Sequence, residues 1–203
     1  MKNSTVRCWQ SDTVKSSRRS KTQNRRAPAP IVRYTQVSQQ PTTLADSDCA
    51  TAVSRALRDA AFPVATSPDM PSWLSMHAVF IAGASAAILL YGGDSAALAA
   101  DRSGTARVVR AVGAGFRALR RAGVQPQPRP LRAIFTIVPR TFSVPYWQHQ
   151  TARAIGVETI APHARATQHD ELPAIAAQVE ELIGAQAPAL MELLSAGHLL
   201  RAH

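Results

Sequence analysis

Few residues in this chain have types that could do chemistry. Ser75 is a hydroxyl in the apolar run Trp73-Leu-Ser-Met-His-Ala-Val-Phe80. To act as a nucleophile it would need a base and a group orienting that base. No Gly-x-Ser-x-Gly elbow surrounds it, so a plain helix serine is the simpler reading. His77 falls on the same apolar helix and reads as a partly buried histidine with its hydrogen bonds satisfied. His163 and His169 are six apart and do not share a helical face, while His149 lies among prolines. These spacings predict no metal site.

Gly113-Ala-Gly115-Phe-Arg-Ala118 matches the G-x-G-x-x-[G/A] pattern that cradles a pyrophosphate. That chemistry needs a preceding strand, a tight turn, and an acidic residue about 20 residues on to hold the ribose. Here the flanking apolar residues follow helical spacing, and no Asp or Glu occurs between Asp101 and Glu158. The two glycines read as small residues that let helices approach closely. No nucleotide site is expected.

The elements that would position these residues are mostly helical. Ile31-Val-Arg-Tyr-Thr-Gln-Val37 alternates and suits one strand. Ser47 or Asp48 can cap a helix to about Ala60, with Val53 and Leu57 on its buried side. Pro71 fits the first turn of the next helix, whose Trp73, Met76, Phe80 and Ala84 form one stripe. Gly92-Gly93 ends it, and Asp94 caps a short helix to Ala100. Arg107 to Ala122 is amphipathic: Val108, Val109, Val112, Phe116 and Leu119 oppose Arg107, Arg110, Arg117 and Arg121. That Arg face reads most simply as solvated, with an anion-binding surface as its alternative. Gln125 to Pro130 is a stiff connector, and Pro139 and Pro145 break any long helix between Leu131 and Val157. Leu172, Ile175, Val179, Leu182 and Ile183 mark a further amphipathic helix, with Pro173 in its first turn or kinking it. A last helix spans about Pro188 to Leu200.

The chain has 203 residues and a formal net charge of +10. Residues 1–30 contribute +7 and hold almost no core-forming side chains, so disorder is expected there. Three readings of this tail stand: a nucleic-acid-binding arm, an organellar targeting peptide, or a leader with no selected role. Residues 102–157 carry ten arginines and no acid. Cys8 and Cys49 suggest neither a disulfide framework nor a CxxC metal site, and a reducing compartment fits. The longest apolar run, Ala78 to Tyr91, is broken by Gly83 and Ser85 and is too short to span a bilayer.

Several landmarks in order carry a resemblance. They are Gln39-Gln-Pro-Thr-Thr-Leu44, Ala61-Phe-Pro-Val64, Trp73-Leu-Ser-Met-His-Ala78 and Tyr91-Gly-Gly-Asp94. Arg110-Ala-Val-Gly-Ala-Gly-Phe-Arg-Ala-Leu119 and His163-Ala-Arg-Ala-Thr-Gln-His-Asp-Glu-Leu172 complete the set. Together they make the region from about Tyr34 to Leu200 resemble the ketopantoate reductases (2-dehydropantoate 2-reductases) and their close relatives.

The resemblance implies an N-terminal Rossmann domain binding NADPH and a C-terminal helical domain contacting a 2-keto acid such as 2-dehydropantoate, as in pantothenate biosynthesis. Tyr34 to Leu44 would then be the last strand and exit loop of a Rossmann domain whose remainder is replaced by the basic tail. The family's catalytic lysine maps to Ser75, which cannot neutralise an alkoxide. Its two substrate-binding asparagines map to Val79 and Gly83, although relatives with this tryptophan-to-histidine pattern often lack them. Its substrate-binding glutamate maps to Glu171, which could equally be an acid favouring a helix N-terminus.

The expectation is therefore an all-α protein, a helical bundle like the family's C-terminal domain. Its organisation is a basic tail (1–30), a residual strand and linker (31–46) and the helical domain (47–203). It is expected to be a truncated oxidoreductase homologue, inactive alone, binding no NADPH or metal by itself. It would be cytoplasmic, forming a homodimer or pairing with an intact paralogue, with neither membrane nor nucleic acid expected as partner. The alternative is a polyanion- or nucleic-acid-binding protein acting through the tail and the Arg-rich helix.

Overall fold

The computed structural model describes residues 41–125 and 127–200. The basic tail and the strand expected at Ile31–Val37 lie outside the described residues. Among those described, the fold is mostly helical: nine α-helices and a two-stranded parallel sheet. The all-α expectation holds for the bulk of the fold.

The chain begins as a strand–helix–strand unit. β1 (Thr42–Ala45) pairs in parallel with β2 (Val64–Ser67), Thr42 opposite Val64, and α1 (Asp48–Asp59) makes the crossover. The sequence reading placed no strand at Val64–Ser67, inside the region taken as wholly helical. Four residues flanked by prolines give too short an alternation to register. Ser47 caps α1 through Ala50 N–H, as its side chain suggests. The buried face of α1 departs from expectation: Val53 is exposed, Leu57 half-buried, and only Ser54 is buried. Cys49, in its first turn, is disulfide-bonded rather than a free thiol.

The bundle follows. α2 (Met70–Leu90) starts at Asp69, whose carboxylate accepts from Ser72 N–H at 3.0 Å, and contains Pro71 in its first turn. It is buried nearly all round from Val79 to Ile88, packed by α4 (Arg102–Arg121), α7 (Ala161–Thr167), α8 (Glu171–Ile183) and α9 (Pro188–Ala196). By length and composition it could cross a membrane, and it runs further back than the apolar run read from sequence. Here it is the central helix of the core. Gly92 and Gly93, both at positive φ, turn the chain into α3 (Ser95–Ala100), which Asp94 caps.

α4 starts seven residues before its apolar face, at Asp101, whose carboxylate accepts from Ser103 N–H. α5 (Arg129–Thr136) and α6 (Arg140–Thr151) occupy the stretch read as irregular. Pro145 sits inside α6, where it cannot donate to the Thr141 carbonyl; both residues are exposed. A π-helical turn at Ile155–Ile160 leads into α7. The aromatic centre of the core is Phe135, stacked on Trp147 at 4.8 Å and met edge-on by Phe116 at 5.5 Å.

Candidate functional site

The residues that the resemblance assigns to substrate do not gather in a cleft. Ser75 is half-buried on the first turns of α2, and its hydroxyl donates to the Pro71 carbonyl at 2.9 Å. This is the ordinary back-bond of a helix serine, which occupies its proton. Val79, one helical turn on, has no exposed surface, and a side chain on Gly115 of α4 would strike its Cγ1. Gly83, a further turn on, is closed over by Val112 and Leu190. The stripe Ser75–Val79–Gly83 thus runs from the helix edge into the seam between α2, α4 and α9.

Glu171 is exposed in the first turn of α8, where Asp170 accepts its backbone N–H. A carboxylate there interacts favourably with the positive end of the helix dipole. Among the described residues, no hydrogen bond joins the Ser75 hydroxyl or the Glu171 carboxylate to a base, an acid or an oxyanion-stabilising group.

The pyrophosphate-like pattern is helical throughout. Gly113 meets the Phe135 carbonyl of α5, and Gly115 meets Val79 of α2 and Leu190 of α9. Ala118 is fully buried. The residues needed for a strand-to-helix phosphate loop are committed to helix packing.

His77 keeps surface in solvent while protein atoms crowd its ring, in keeping with the partly buried histidine read from sequence. Its ring stacks on Trp73 with centroids 4.8 Å apart. Protein atoms crowding the ring, and to a smaller extent His163, lower its pKa below the ordinary histidine value. A neutral imidazole suits that stacking at neutral pH. Among the described residues no three of His, Cys, Asp or Glu stand close enough to hold a metal ion.

Two hollows exist. One is an apolar void of about 20 Å³ between Phe80, Leu98, Val108 and Trp147, room for about one water. The other is an open cleft of about 250 Å³ along Gly92–Ala96, bordered by Arg165. Its charged groups are already engaged. Asp94 accepts from Ala96 and Ala97 N–H, and Arg165 donates to the Gly93 carbonyl at 2.6 Å. Arg165 gave no signal in the sequence, because its partner is a backbone carbonyl 72 residues away.

The described surface with a distinct chemical character is basic. On α4, Arg102, Arg110, Arg117, Arg120 and Arg121 are exposed, with no carboxylate on the helix. Arg121 is partly occupied, donating to the side chain and carbonyl of Gln186. No protein-family model, no curated protein and no solved structure matches this chain.

Proposed function

We propose that this chain is a helical binding module of ketopantoate-reductase type that does not reduce a 2-keto acid by itself. The observation supporting it is the order of parts: a parallel β1–α1–β2 unit feeding straight into the long apolar helix α2. Parallel strands belong in sheets covered on both faces, joined by helical crossovers. This pair is mostly half-buried, with Thr42, Ala45 and Thr66 exposed, which suits the margin of a nucleotide-binding sheet joined to a helical domain. The module's work would then be pairing, with a second copy or an intact relative that supplies NADPH and a lysine.

NADPH fluorescence titration, followed by NADPH oxidation with 2-dehydropantoate, tests this. The expected result is neither saturable binding nor oxidation by the chain alone. Ser75→Lys is expected to leave that unchanged, because Val79 and Gly83 are locked in the core. Turnover by the unaltered chain would sink the reading.

A second reading is supported by the exposed arginines of α4 and the +7 charge of residues 1–30: a polyanion or nucleic-acid binder. It predicts that deleting residues 1–30 abolishes retention on heparin or DNA. Under the first reading the deletion changes neither the fold nor pairing.

A further inference from the structure

The corner between α5 and α6 combines apolar exposure with positive charge. Ile137 and Phe142 each keep 69% of their surface in solvent, the highest among the large hydrophobic residues described, and Tyr146 keeps 42%. Phe142 and Tyr146 stand one turn apart on the outward face of α6. Ile137 ends α5, and Pro139, Arg140 and Thr141 between them are exposed as well. Arg117 of α4 borders the same region: its Nη1 and the Phe135 carbonyl, two residues before Ile137, both lie within 3.4 Å of where a side chain on Gly113 would begin. The corner lies within 102–157, which holds ten arginines and no acid.

We infer that this corner seats on an anionic lipid surface, Ile137 and Phe142 entering the headgroup boundary while Arg140 and Arg117 meet lipid phosphates. The corner lines neither the apolar void nor the open cleft. A protein partner would need a groove shaped to these side chains, whereas a fluid bilayer accommodates them without one. An aliphatic side chain such as Ile137 offers nothing for a nucleic-acid base to stack on. Apolar insertion and basic flanks together are what stable peripheral binding requires. The sequence reading expected no membrane partner, but it weighed only a spanning segment, which this mode does not need. The inference is independent of the reading under Proposed function.

The test is flotation of the full-length chain with vesicles of phosphatidylcholine, with and without phosphatidylserine. The expected result is co-flotation with the anionic vesicles alone, weakening as salt is added. The double variant Ile137→Ser, Phe142→Ser should bind about tenfold more weakly, with its thermal melt unchanged because both residues are exposed. Arg140→Glu should weaken binding to anionic vesicles as well. Undiminished flotation of the double variant would overturn the inference, leaving charge attraction by the tail. So would failure of the wild type to float. If the double substitution instead abolished self-association in light scattering, or binding to a single-stranded oligonucleotide, the corner would belong to a second copy or to nucleic acid.

Discussion

Among the described carboxylates, Asp101 is the one held furthest below its ordinary pKa. Its carboxylate accepts from the Tyr91 hydroxyl, then from Ser103 and the backbone at the start of α4, which holds its pKa down from 3.8 to about 2. The folded value lies below the unfolded one, so between them the unfolded chain binds more protons. The stabilisation is therefore complete above about pH 4 and is lost as pH falls towards 2. Tyr91→Phe removes the largest cause. Its melting temperature should fall at neutral pH, and its dependence on pH between 4 and 2 should flatten. A melting series in that range checks this; an unchanged slope would mean that the Tyr91 contact contributes nothing. Gly113 offers a second residue-scale prediction. A methyl there would lie 2.4 Å from the Phe135 carbonyl, a backbone group that moves only if α5 moves. Gly113→Ala should cost about 1–3 kcal/mol of overpacking, which outweighs the roughly 1 kcal/mol of helix propensity gained. Denaturant unfolding would measure it.

Elements differ sharply in how much they hold. Phe116 of α4 has no exposed surface and closes on Phe135. Truncation to Ala should cost about 3–5 kcal/mol. Val53 of α1 is 47% exposed, and Val53→Ala should change stability by less than about 0.5 kcal/mol. Paired urea titrations decide both, and similar values for the two would refute the contrast. The same contrast explains what could be read from sequence. The apolar stripe of α4 was legible because it faces a real core; that of α8 was legible in part, since Leu172, Val179 and Ile183 are buried while Ile175 is half-buried and Leu182 is 44% exposed. α1 carries Val53 and Leu57 at helical spacing too, but spacing does not reveal whether a neighbour exists to cover them. α5 and α6 were missed because Pro139 and Pro145 read as breakers. The first lies just outside α6, and the second faces solvent. Of the candidate site, Ser75 and Glu171 were correctly placed on helices. That Val79 and Gly83 point into the bundle depends on α9 returning to α2 more than 100 residues later, and no local pattern holds that information.

Across the whole molecule, core and periphery are divided by sequence position. The buried hydrophobic residues form one cluster running from Met76 to Leu199, shared by helices from α2 to α9. The β1–α1–β2 unit contributes no side chain to that cluster, and the main neighbours of α1 are β1 and β2 themselves. Few buried apolar contacts mean a low cost of local opening. Hydrogen exchange should therefore find the amides of Asp48–Asp59 exchanging well before those of α2 and α4. Phe116→Ala supplies the decisive comparison. If the bundle is a separate cooperative unit, the variant should speed exchange across α2, α4 and α9 while leaving α1 at its wild-type rate. Equal acceleration in α1 would mean that the strand–helix–strand unit opens only with the bundle. Its packing would then be tighter than its exposed faces imply, and the case for it as the margin of a larger sheet would weaken.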